Sequence, residues 1–185
     1  MQRTIVQRAD ISGDALADLK KWLGITRPNE DALLVELISA SLVLCEASTG
    51  QSPLQQTVEE RLATDRGCNI LSSQPVRAFV SAELISQDGT RNPIVNDAFS
   101  FLIEAETTAA FEVKAALEGQ AIAVRVIAGI SADWSSLPSA LKQGVIRMAA
   151  HHYRDRDFDS DASRSAPPPA SVTALWRPWR TPRLA

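Results

Sequence analysis

The hydrophobic period of this chain changes twice. Apolar residues recur at helical spacing from residue 14 to 49, alternate around 111–128, and return to helical spacing over 137–156. A helical pattern does not settle as a strand, nor an alternating pattern as a helix. The chain must therefore place a β region between helices. The first helix is predicted over 14–23, where Ala15, Leu16, Leu19, Trp22 and Leu23 share a face. Ser12 is a candidate N-cap, and Gly24 stands where a glycine ends a helix. Pro28 forbids continuation, and Asn29 offers a cap for a second helix over 30–49. There Leu33, Leu34, Leu37, Ile38, Ser41, Leu44 and Cys45 form one stripe, and Val35 and Leu42 widen it. That width predicts burial on more than one side, with Gly50 as the stop. The third helix, over 137–156, starts at Pro138, whose missing N–H costs nothing in a first turn. Leu141, Val145, Met148 and His152 follow at spacings of four, three and four. Gly144 inside it costs about 1 kcal/mol relative to alanine and points to close approach by another backbone.

The β region spans about 57–130. Strands are expected over 76–85 and 100–105, with Asp88-Gly89 as a turn after the first. Residues 111–128 read as a hairpin turning at Glu118-Gly119-Gln120. Residues 57–65 fit a strand or a helix. The expected fold class is α+β, mainly helical, with an inserted antiparallel β region and an extended C-terminal tail.

Length and charge bound the function. At 185 residues and 45% apolar content the chain suits one globular domain with an appendage. No 20–50-residue repeat is visible, which argues against a solenoid. Glu36 interrupts the most apolar stretch, 33–45, which argues against a membrane span. The opening MQRTIVQRAD lacks the apolar core of a signal peptide. Two cysteines, Cys45 and Cys68, are too few for a disulfide framework. Residues 164–185 hold four arginines and no acid, so a net charge of −3 leaves −7 on residues 1–163. Five of ten prolines and two of four tryptophans also lie there. This shift sets a boundary between a body, 1–163, and a docking tail, 164–185.

The motifs do not assemble an enzyme. The only histidines, His151 and His152, are neighbours and point about 100° apart on a helix, so they cannot chelate one metal together. Neither HExxH, GxSxG, CxxC nor a glycine-rich phosphate loop occurs. Glu104 and Glu106 share a strand face, as an acid–base pair requires, but a solvated sheet surface explains them too. Asp157, Asp159 and Asp161 match the first three ligand positions of a calcium loop. Ala162 then stands where glycine is required and Pro168 where the bidentate Glu is required, so the segment reads as an acidic linker. Cys45 reads as a small buried hydrophobe and Cys68 as a free thiol. No catalytic residue, cofactor or metal is assigned.

The tail carries the functional signal. Pro167, Pro168 and Pro169 impose a polyproline stretch. Ser171 is a candidate cap for a helical turn through Trp176, and Pro178 ends that turn. Beyond it a three-residue period places Trp176, Trp179 and Pro182 on one polyproline stripe, and Arg177, Arg180 and Arg183 on another. Exposed tryptophans want a partner surface. Three readings follow: folding back on the body, docking onto another chain with Trp and Arg as anchors, or gripping a nucleic-acid strand. The last makes a small nucleic-acid-binding accessory protein the alternative function, though the acidic body would repel phosphate.

The order of these segments resembles the head-to-tail connector (adaptor) proteins of long-tailed phages and gene transfer agents, the gene transfer agent branch most of all. The likeness runs through KKWLGI (20–25), NEDALLVELISAS with its later Glu and TGQ (29–51), a variable β region with a D-G turn, VRVIAGISADWSSLPSALKQGVIRMAAHHYRDRD (124–157) and LWRPWR (175–180). It implies a structural virion protein that forms a homo-oligomeric ring, typically twelve-fold, at the head–tail junction. Such a ring links portal to stopper or tail proteins and surrounds double-stranded DNA without sequence-specific binding. It implies assembly in the bacterial cytoplasm and no membrane partner. Carried onto this sequence, Leu175, Trp176, Arg177, Pro178, Trp179, Arg180 and Arg183 become the portal-docking residues.

Overall fold

A computed structural model describes residues 2–11, 13–104, 108–155 and 168–181. Among the described residues helix takes 37% and strand 32%, in four α-helices and two antiparallel sheets. The expectation of a mainly helical fold is therefore corrected: strand and helix carry similar shares. The chain divides into two compact units, Met1–Ala9 with Gln55–Gly129, and Asp10–Leu54 with Ile130–Ala185.

The first unit is all β. Among the described residues, eight strands run β1 (Gln2–Gln7), β2 (Gln56–Leu62), β3 (Gly67–Ile70), β4 (Val76–Ile85), β5 (Arg91–Pro93), β6 (Phe99–Glu104), β7 (Thr108–Val113) and β8 (Ala121–Ala128). Five form a sheet in the order β1-β2-β8-β4-β5, and three form a second sheet, β3-β7-β6. Both contribute to one core, in which Val76, Ile122, Val124 and Val126 meet Ala109, Phe111 and Val113. Phe99 stacks on Phe111 at 4.9 Å between centroids. Residues 57–65, open between helix and strand, supply β2. The predicted strand 76–85 is β4, and the Asp88-Gly89 turn leads to β5. There Gly89 sits at φ +85 and Asp88 Oδ1 accepts from the Thr90 N–H at 2.9 Å. The predicted 111–128 hairpin is corrected. β7 pairs with β3 and β6, while β8 pairs with β2 and β4. The chain crosses from one sheet to the other between them, because β8 is the central strand and both its neighbours are already taken.

The second unit is helical: α1 (Gly13–Leu23), α2 (Asp31–Thr49), α3 (Ser139–Asp155) and α4 (Ala170–Trp176). Gly24, at φ +72, follows α1, and Gly50, at φ +76, caps α2 by donating to Glu46 O at 2.8 Å. Asn29 does not cap α2. Glu30 takes that position without a side-chain cap bond, and its carboxylate instead accepts the Tyr153 hydroxyl at 2.6 Å. Pro138 lies just before α3 and its carbonyl accepts the Lys142 N–H at 3.0 Å. Ser12 and the Asp157, Asp159 and Asp161 run lie outside the described residues. Among those described, one helix, α2, is long and apolar enough to cross a membrane by length and composition. Leu34, Ile38, Ser41, Cys45 and Thr49 are nevertheless buried in the protein along one stripe. Burial on several sides, as the sequence predicts, does not occur.

The extended tail is also corrected. Residues 170–176 are helical and Arg177–Trp179 forms a 3-10 turn, so the two polyproline stripes do not form over this stretch. Pro169, not Ser171, starts the helix; its carbonyl accepts from Val172 and Thr173 at 2.8 and 3.1 Å. Pro178 is tolerated because the opening positions of a helical turn need no N–H.

The C-terminal segment as a candidate docking site

Amphipathic burial fixes α4. Val172 and Trp176, four residues apart, are both fully buried, while Ala170, Ser171 and Ala174 face solvent. The Trp176 indole lies over Gly144 of α3. A Cβ there would run into the ring's Nε1 and stand 2.7 Å from Cδ1 and 2.9 Å from Cε2. The close approach inferred for Gly144 is therefore by an indole and not by another backbone. Trp176 Nε1 is buried with no hydrogen-bond partner.

Beyond Trp176 the segment closes over the end of α2. The last carbonyls of a helix lack intrahelical donors, and the tail supplies them. Thr181 donates to Thr49 O through its N–H at 3.0 Å and its hydroxyl at 3.1 Å. Gln51 Nε2 donates to Trp179 O at 2.7 Å, and Arg180 Nη2 donates to Ser48 Oγ at 3.4 Å. A side chain on Gly50 would stand 2.5 Å from Thr181 Oγ1. Folding back on its own unit, one of the three readings open from sequence, thus describes the segment.

The docking residues inferred from sequence separate into two sets. Trp176 is an internal anchor. Arg177, Pro178 and Arg180 are exposed, with Leu175 and Trp179 half-buried beside them. They form a basic edge with part of one indole accessible. Arg183 lies outside the described residues.

The remaining candidates do not converge. Glu104 is exposed at the end of β6, and Glu106 lies outside the described residues. His151 Nε2 is 3.2 Å from Asp155 Oδ2. His152 titrates below the usual histidine range, chiefly because burial disfavours its charged form and His151 adds to that. Among the described residues no group of three His, Cys, Asp or Glu is placed to hold a metal ion. Burial pushes the Cys45 thiol up to about 12, which makes it inert, while Cys68 is exposed.

Sequence reasoning missed one charged cluster. Glu59, 6% exposed, accepts Arg91 Nη1 and Nη2 at 2.7 and 2.9 Å and Arg125 Nε at 3.0 Å. Glu83 joins through Arg91 at 3.3 Å and Arg125 at 3.7 Å. The Arg91 bonds hold the Glu59 carboxyl below the usual range against the opposing effect of burial, and Arg125 adds to them. The cluster ties β2, β8, β4 and β5 together. The clue was Arg125, which alternates against an apolar strand.

No protein-family model and no curated protein matches the sequence. Several solved structures share the fold, three of them as follows. A chain from the neck of an empty gene transfer agent particle, computed with C6 symmetry, is 23% identical at a TM-score of 0.77. A chain from the virion of a native gene transfer agent particle is 24% identical at 0.74. A chain from the neck of a native particle, computed with C12 symmetry, is 23% identical at 0.74. Each comparison covers 100% of this chain and 98% of the other.

Proposed function

We propose that this chain is a structural virion protein, the head-to-tail connector of a gene transfer agent or related phage-like particle. In this reading it forms an oligomeric ring at the neck, links the portal to the stopper or tail, and surrounds the DNA channel. The observation that carries the reading is the extent of the fold likeness. It spans both units and the C-terminal segment, and leaves only 2% of the neck chains unmatched. A shared sandwich or a shared helix bundle alone would carry no such argument. The order of segments in the sequence supports the same family independently. The charge suits a conduit, since a net −7 on residues 1–163 limits adhesion to phosphate.

The portal-docking edge in this reading is Arg177, Pro178, Trp179 and Arg180, with Leu175 alongside. Trp176 holds that edge in place from inside, and the sequence adds Arg183 to the docking set. Arginine and tryptophan are the residue types that dominate binding interfaces. The test is the portal affinity of the full chain carrying Arg177→Ala and Arg180→Ala. Both side chains are exposed and Arg180 gives up only its 3.4 Å bond to Ser48, so the melting temperature should fall by no more than about 2–4 °C, given that surface changes fall within ~0.5 kcal/mol each. The reading expects portal binding to weaken at least ten-fold, equivalent to about 1.4 kcal/mol. Unchanged affinity rejects this edge as the docking site.

A further inference from the structure

Among the described residues, two surfaces of the helical unit stand open, and they differ in chemistry. The first is the outer side of α2. This helix carries Asp31, Glu36 and Glu46 but no cation, and it is apolar around most of its circumference. Its exposed positions are Ala32, Glu36, Ala40, Val43 and Ala47, with Val43 at 56%, and the flanking Leu33, Val35, Leu37, Leu42 and Leu44 are half-buried. Apolar flanks this wide call for more cover than one buried stripe supplies. The second surface is a groove of about 400 Å³ lined by residues of α1 and α3. Trp22, 44% exposed, and Ile146 give it an apolar lining, and Lys21 and Lys142 contribute cations. The Arg147 guanidinium lies 5.6 Å from the Trp22 ring centroid. Asp18, the one acid lining the groove, has its carboxylate engaged by Trp134 Nε1 at 2.9 Å.

We propose that the outer face of α2 of one copy seats on the α1–α3 groove of the next copy, and that this is the contact that closes the ring. The inference rests on the proposed ring. A ring of identical subunits needs two different, complementary surfaces on each copy. These two are complementary: apolar with an exposed Glu36 on one side, aromatic with Lys21 and Lys142 on the other. A heterologous contact follows from the mismatch, because pairing α2 with α2 would set its acids against each other. Trp22 is the anchor, and the Lys21–Glu36 pair fixes the register.

Sedimentation velocity of the full chain over a range of concentrations tests this. The expected result is self-association beyond a dimer. Val43→Arg should weaken it by about 30-fold or more, as losing a central apolar contact costs roughly 2 kcal/mol. Lys21→Glu should weaken it by about five-fold, and adding Glu36→Lys to Lys21→Glu should restore it. Melting temperatures identify any variant that misfolds, and the reciprocal charge pair remains readable if Val43→Arg does. Association that ignores all these changes overturns the proposal while leaving a ring built elsewhere. A species that stops at the dimer, a chain monomeric at every concentration, or capture of α2 by lipid vesicles also overturns it. The neck reading would then rest on location in particles.

Discussion

Gly144 has no side chain, and the indole of Trp176 occupies the space one would fill. The substitution Gly144→Ala therefore sets two effects against each other. Alanine gains about 1 kcal/mol of helix propensity, but its Cβ collides with a flat, fully buried ring. Overpacking typically costs about 1–3 kcal/mol, and the ring can escape only by lifting α4 away. We expect a net loss of stability, a melting temperature lower by several degrees, and red-shifted tryptophan emission as the indole meets water. Equal or greater stability would mean that α4 is not packed where described. The sequence pointed to this glycine but not to its partner, since nothing in a helical repeat says whether a backbone or a ring approaches. The Trp176 side chain was legible as needing cover, but not as finding it within the same unit.

At the scale of elements, the Glu59 cluster makes the sandwich pH-dependent. Its folded carboxyl titrates below the ordinary glutamate value of about 4.3, held there first by Arg91. As pH falls the unfolded chain takes up the proton first, so the contribution is full above that value and is lost as pH drops through the folded value. Arg91→Ala should therefore cost stability at pH 7, with the difference between variant and parent shrinking in urea melts as the pH falls below the ordinary glutamate value and through the lower folded value. A constant difference would remove the cluster from the pH response. This cluster also explains why β2 was unreadable. Glu59, Glu60 and Arg61 stand in a row and hide the alternation. Glu59 is neutralised by Arg125 of the adjacent β8 and Arg91 of β5 at the far edge of the sheet, and buried Glu60 accepts the Ser72 and Ser73 N–H groups at 2.9 and 2.7 Å. Neither partner is near in sequence. The helices were legible because their signals are local: spacing, Gly24, Gly50 and Pro138. The β7–β8 error has the same origin. Alternation reveals a strand, but its neighbours are chosen by the whole sheet.

At the scale of the molecule, the C-terminal segment belongs to the helical unit rather than to a free arm. Val172 and Trp176 are core residues, and Thr181 completes the end of α2. Removing everything after residue 163 would take out a buried tryptophan, and Trp→Ala alone costs about 3–5 kcal/mol. Truncation therefore confounds docking with folding, and substitutions at exposed Arg177 and Arg180 separate them. The composition shift at residue 164 was real, but composition registers charge and proline content, not packing. The order of segments held more, because the fold it belongs to is shared along 98% of chains from gene transfer agent necks. The central claim is that the chain works as a ring-shaped coupling in the neck. Electron microscopy of purified particles, with this chain located in the map, tests it most directly. The account predicts repeated copies encircling the axis at the head–tail junction, with Arg177 and Arg180 toward the portal. Particles that are complete without the chain would contradict it.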